Sequence, residues 1–128
     1  MPVMLDLELP PGSEAPARAR RSLEGLARLV PPEVLDALRL LVSELVTNSV
    51  RHGGLGSGDR VRVVVTERED RIRVEVTDPG RGFDPSILEP EGSRPSGWGL
   101  YLVDRVAERW GVIDDGATMV WFELPARS

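Results

Sequence analysis

Two short runs near the middle of the chain limit the fold more than any other feature. Between Ile72 and Thr77, the apolar Ile72, Val74 and Val76 alternate with Arg73, Glu75 and Thr77, and Val61 to Glu67 forms a second run rich in valine. The short link Arg68-Glu69-Asp70 joins them as a hairpin. Successive strand side chains point to opposite faces, so only one face of this hairpin is apolar. A sheet built on it is expected to carry helices on one side and to be wet or partnered on the other.

The flanking segments supply those helices. Val3 to Leu9 ends in an apolar and acidic alternation and is closed by Pro10-Pro11-Gly12, which predicts another strand. Over residues 16 to 30, Ala19, Leu23, Leu26, Ala27 and Val30 recur at helical spacing, with Arg18, Arg20, Arg21 and Arg28 on other faces and Gly25 weakening the helix. A stronger helix starts at Pro31-Pro32-Glu33, where proline is tolerated in the first turn, and runs to a stop at Gly53-Gly54. Its core stripe is Leu35, Leu38, Leu41, Val42, Leu45 and Val46. Pro79 to Gly97 has no periodicity and is longer than a compact domain tolerates unless the loop is functional. A third helix is expected from about Trp98 to Arg109, after which Val112-Ile113 and Thr118 to Leu124 flank a turn at Asp114-Asp115-Gly116. In the last strand Val120, Phe122 and Leu124 share one face, leaving Met119, Trp121 and Glu123 on the other. A length of 128 residues suits a single domain over the whole chain.

Composition removes several chemistries. There is no Cys and one His, His52, so thiolate and His-built zinc sites are out of reach and any metal would be oxygen-bound. The 16 basic residues are all Arg, which excludes a lysine Schiff base and a P-loop. With 21 acids and a net charge of −5 the chain is not a general polyanion binder, so no direct nucleic-acid contact is expected. No apolar run approaches the roughly 20 residues of a membrane span, and the amino terminus lacks the form of a signal peptide. The expectation is a soluble cytoplasmic protein without a membrane partner.

Three segments could carry chemistry. On the second helix Glu44, Asn48, Arg51 and His52 fall on one face, away from the leucine stripe. A carboxylate and a carboxamide one turn apart can hold hydrated Mg²⁺ or orient a nucleophile, although any solvated helix face shows similar spacing. Asp78-Pro79-Gly80-Arg81-Gly82-Phe83 closes an amphipathic strand; its glycines would let backbone approach a flat ligand and its Asp could accept from an exocyclic amine, or it is simply a turn. Ser96-Gly97-Trp98-Gly99-Leu100 opens a helix, where free N–H groups suit phosphate, but it lacks the strand and third glycine of a Rossmann turn.

Together and in this order, the three segments resemble the boxes of the GHKL (gyrase, Hsp90, histidine kinase, MutL) superfamily, in particular its small anti-sigma-factor serine/threonine kinase branch. The boxes are Glu44 to Gly53, Asp78 to Pro85 and Gly97 to Val103. Ala107 to Val112 and Gly116-Ala117-Thr118 with Val120 to Leu124 look like the ending of stand-alone actinobacterial members. The resemblance implies an α+β two-layer sandwich of the Bergerat type, with a mixed, mostly antiparallel sheet covered on one face by about three helices. It implies that Asn48 ligates Mg²⁺, that Glu44 is the general base or orients the attacking hydroxyl, and that Asp78 accepts from adenine beside Gly80, Gly82 and Phe83. Thr118 would support adenine, commonly through water. Gly97, Trp98, Gly99 and Leu100 would cradle phosphate, with a lid over 84–96, while His52 caps the helix or sits near phosphate. Arg94 is the candidate lid contact to the terminal phosphate, displaced from Gly97 by Pro95-Ser96.

By the same resemblance the ligand is Mg-ATP and the partners are a sigma factor and a STAS-type anti-sigma antagonist whose Ser or Thr is phosphorylated. Arg18, Arg20 and Arg21 would face an acidic partner surface, and Trp121 on the open sheet face is compatible with a homodimer. The alternative is a non-catalytic ATP-sensing module that sequesters its partner.

Overall fold

The computed structural model describes residues 2–52, 54–80 and 99–126. Its elements run β1 (Val3–Leu9), α1 (Ala15–Leu23), a 3₁₀ turn (Glu24–Leu26), α2 (Pro32–His52), β2 (Val61–Arg68), β3 (Arg71–Asp78), α3 (Gly99–Val106), β4 (Arg109–Asp114) and β5 (Thr118–Pro125). The strands form one sheet in the order β1-β2-β3-β5-β4. Every described pairing is antiparallel, in keeping with the mostly antiparallel sheet that the resemblance implies, and no parallel pair occurs among the described residues.

The alternation in the hairpin has the expected result. Val61, Val63, Val65, Ile72, Val74 and Val76 are buried on one face, joined by Phe122 and Leu124 from β5. Against that face lie Leu35, Leu38, Leu41, Val42, Leu45 and Val46 of α2, Ala19 and Leu23 of α1, and Leu100 and Val103 of α3. The result is a two-layer sandwich with helices on one side.

Two helices differ from the sequence expectation. The first ends at Leu23 and passes into the 3₁₀ turn containing Gly25, whose backbone entropy disfavours the regular helix that the apolar spacing would continue to Val30. Arg39 reaches across from α2 to the turn and makes a bidentate contact with Glu24, at 2.8 and 2.7 Å. The third helix stops at Val106 instead of Arg109. The Glu108 N–H already donates to the Glu123 carbonyl at 2.9 Å, and Arg109 and Trp110 are in register with Glu123 and Phe122. Pairing along the sheet edge therefore wins over helix continuation, and β4 begins earlier than the Val112-Ile113 pair alone suggests.

At the β2–β3 hairpin Glu69 adopts φ 57°, a left-handed conformation that costs a side chain with a Cβ on the order of 1–2 kcal/mol. Replacement by glycine removes most of that cost while adding unfolded-state entropy. Glu69→Gly is expected to stabilise the fold by about 1 kcal/mol net, readable as a higher midpoint in urea unfolding.

The outer sheet face is charged and locally well built. The Arg73 guanidinium lies 4.3 Å from the Trp121 ring centroid, a cation–π distance. A Cβ on Gly111 would fall 2.7 Å from the indole nitrogen, so β4 needs glycine where Trp121 rests on it. Glu123, only 7% exposed, is flanked by Arg73 at 3.2 Å and Arg109 at 3.6 Å.

Towards the β1 edge Arg62 donates twice to Asp6, at 3.0 and 2.7 Å. The hydrogen bond from Arg62 holds the Asp6 carboxyl below its ordinary 3.8. A lowered carboxyl pKa means that the pair's contribution is present above that ordinary value and disappears as pH falls through the folded value. Carboxyl-carbon NMR titration should therefore show Asp6 moving upward in pH when Arg62 is replaced by Gln.

Candidate functional site

The carbonyl of Pro31 accepts from the N–H groups of Val34 and Leu35, both at 3.0 Å, and so sets the start of α2. From there the helix turns its apolar stripe to the sheet and leaves Glu44 and Asn48 half-buried, one turn apart, beside that stripe. The Asn48 Oδ1 is buried and has no hydrogen-bond partner among the described residues. Two hydroxyls that precede it on the helix are bonded to backbone instead. Ser43 Oγ donates to the Leu40 carbonyl at 3.1 Å, and Thr47 Oγ1 donates to the Ser43 carbonyl at 2.7 Å. His52 is the last residue of α2, and its side chain lies outside the described set.

The second cluster is assembled by the sheet. Asp78 ends β3 and is 7% exposed; its Oδ1 accepts from the Gly80 N–H at 2.7 Å. Thr118, the first residue of β5, is in register with Asp78, and its hydroxyl donates to the Gly80 carbonyl at 3.3 Å. The structure thus brings Asp78, Gly80 and Thr118 together at the ends of adjacent strands. The Gly80 carbonyl as the partner of Thr118 was not legible in the sequence, since it depends on β3 and β5 being neighbours although Gly80 and Thr118 are 38 positions apart. The only hint was that both strands end in a polar residue on the otherwise apolar face.

Gly99 opens α3, and Leu100 follows with its side chain 2% exposed in the core. Leu100 can therefore meet a ligand only through its backbone. Gly82, Phe83, Arg94, Gly97 and Trp98, and the lid expected over 84–96, lie outside the described residues.

The described residues thus offer a buried amide oxygen without a partner beside a half-buried carboxylate, and a buried carboxylate closing a strand against a glycine, on a two-layer antiparallel α+β scaffold. Residues 9–124 match the histidine kinase-like ATPase domain family, and the chain belongs to it. It is 30% identical over 131 aligned positions to the serine-protein kinase RsbW of Listeria monocytogenes serotype 4a (strain HCC23), covering 91% of this chain and 83% of that protein. It is also 30% identical over 110 positions to the anti-sigma F factor of Clostridium botulinum (strain Eklund 17B / Type B), covering 78% and 77% of the two. Among solved structures, the catalytic domain of the histidine kinase ThkA superposes with a TM-score of 0.63 at 15% identity over 97% of each chain. The histidine kinase domain of a blue-light activated kinase from Erythrobacter litoralis EL346 gives 0.62 at 21% identity, over 91% of this chain and 61% of that one. At those identities the structural likeness shows the fold. The ATP-binding assignment comes from the family.

Proposed function

We propose that the chain binds ATP with Mg²⁺ and transfers the γ-phosphate to a serine or threonine of a STAS-type anti-sigma antagonist. In this partner switch the unphosphorylated antagonist captures the chain and frees a sigma factor, and phosphorylation reverses the exchange. The observation that carries the reading is the orphaned Asn48 Oδ1 one turn from Glu44. A buried polar atom without a partner costs about 1–3 kcal/mol, a cost that a bound ligand would remove. Its amide oxygen is a hard donor of the kind Mg²⁺ accepts, and Mg²⁺ is usually held by one or two protein oxygens together with substrate phosphates. The ion, when bound, supplies charge neutralisation at the phosphates.

Glu44 would orient the acceptor hydroxyl or take its proton. Asp78 keeps one carboxylate oxygen on Gly80 and offers the other to the adenine amine. The N–H groups at the start of α3 present the positive end of the helix to phosphate. The relatives named serine-protein kinase and anti-sigma F factor support this reading over other uses of an ATP pocket. Arg18, Arg20 and Arg21 are exposed on α1 and would meet an acidic partner surface. The outer sheet face around Trp121, Met119 and Ile113 would seat a second copy, and a sigma-factor partner implies a cytoplasmic site of action.

The test is incubation of the purified chain with [γ-³²P]ATP and each STAS-domain protein of the source organism. One of them should be labelled on Ser or Thr. Asn48→Ala should remove both the label and nucleotide binding while leaving the melting temperature unchanged or higher, because it deletes an oxygen that has no partner in the free protein. Labelling unaffected by Asn48→Ala would sink the proposed metal–phosphate role. Nucleotide binding without any labelled protein would leave a module that only sequesters its partner.

A further inference from the structure

Between Glu33 and Arg51 the exposed residues of α2 are Glu33, Asp36, Leu40 and Arg51, so Leu40 is the one apolar side chain among them, at 42% exposure. A single exposed leucine is ordinary on a protein surface. What distinguishes Leu40 is its place. Residues three and four apart are neighbours on a helix, so Ala37, Leu40 and Glu44 share a face, and Asn48 follows one turn after Glu44. Ala37 is half-buried and adds only a methyl group to that face. Next to Leu40, Arg39 is already tied to Glu24 at 2.8 and 2.7 Å and to Asp36 at 2.9 Å. An apolar spot bordered by polar groups that are held in place has the anatomy of a small protein interface.

We infer that Leu40 selects the protein substrate, by seating an apolar side chain two positions from the Ser or Thr that is phosphorylated. The inference rests on the phosphotransfer proposed above, with Glu44 at the acceptor hydroxyl. In phosphoryl transfer the attacking and leaving oxygens lie roughly in line, on opposite sides of the phosphorus. With the phosphates towards Asn48, the hydroxyl reaches Glu44 from its other side, which along α2 is the side of Leu40. Four residues of helix rise about 6 Å. Two residues of extended chain cover about 6.6 Å and return the side chain to the same face. A substrate segment extended along α2 with its hydroxyl at Glu44 therefore brings the side chain two positions away over Leu40. An apolar side chain there buries Leu40 against it, whereas a charged one gives up water for a surface that cannot hydrogen-bond.

The test measures steady-state phosphotransfer at saturating ATP with the full chain, varying the acceptor that the labelling experiment identifies. Leu40→Ala should raise KM for the acceptor by about tenfold, as truncation of an interface anchor does. Its kcat, ADP affinity and melting temperature should stay at wild-type values, because Leu40 is exposed in the free protein. Leu40→Met keeps the volume and should remain within about twofold of the wild type. Leu29→Ala, which removes a leucine 62% exposed ahead of α2, should leave KM unchanged and controls for lost surface hydrophobicity in general. Alanine in the acceptor at the apolar residue two positions from the labelled Ser or Thr should raise KM to a similar extent. Combined with Leu40→Ala it should add little, the coupling expected of residues in contact. An unchanged KM in Leu40→Ala, an equal loss of ADP affinity, additive losses in the double variant, or an acceptor with no apolar residue at either position would overturn the inference. A wild type that labels no protein would instead remove the phosphotransfer reading itself, and this inference with it.

Discussion

Replacing Glu44 with Gln is expected to slow phosphotransfer by about 10²–10⁴-fold while ATP remains bound, the range that loss of a positioned proton acceptor usually produces. Gln keeps the size of the side chain and its ability to hydrogen-bond, so it removes the negative charge and the basicity with little change in packing. Glu44 is half-buried on α2 one turn before Asn48, beside the proposed phosphate site but not required to hold it. Single-turnover labelling of the acceptor and equilibrium nucleotide binding separate the two effects. Equal losses in both would make Glu44 a binding residue, and unchanged labelling would remove it from the chemistry. The contrast with Asn48→Ala is direct, because that variant should fail already at nucleotide binding.

The second large effect falls on stability. Phe122 is fully buried on the inner face of β5, paired with Val74 on one side and Trp110 on the other, and lies in the layer between sheet and helices. Phe122→Ala deletes a ring from a close-packed interior that relaxes only in part, at a cost of about 3–5 kcal/mol. Against a total of roughly 5–15 kcal/mol for a domain, this should bring the variant near its unfolding threshold. A thermal midpoint lowered by roughly 10–20 °C is the expected reading for a chain of this size. Leu29→Ala is the control, since Leu29 is 62% exposed and its loss should change stability by no more than about 0.5 kcal/mol. A Phe122 variant that melts with the wild type would show that the inner face of β5 is not the core.

The charged outer face explains why the apolar count alone would have misjudged β5. Trp121 is the largest side chain of the strand, yet it packs on the bare backbone of Gly111 and under Arg73, outside the main core. Glu123 beside it is nearly buried, which a carboxylate tolerates here because Arg73 and Arg109 flank it. Alternation assigned both residues to the outer face correctly. It could not reveal that arginines from β3 and β4 would flank that carboxylate.

What the sequence determined is what neighbouring residues decide among themselves. The period of two in β3, the helical stripe of α2 and the proline and glycine at its ends are local, and they placed the strands, the covered face and the Glu44–Asn48 pair where the structure has them. Where two local signals competed, at Gly25 and at Glu108, the boundary moved, because helix propensity there is worth less than the contacts available to the alternative. Only the tertiary structure decided that β3 lies beside β5, since strand order depends on contacts between distant segments and leaves no periodicity in either. That neighbour relation sets Thr118 opposite Asp78 and directs its hydroxyl to the Gly80 carbonyl. It was packing, too, that left Asn48 Oδ1 buried without a partner, because helical spacing gives the direction of a side chain but not what surrounds it.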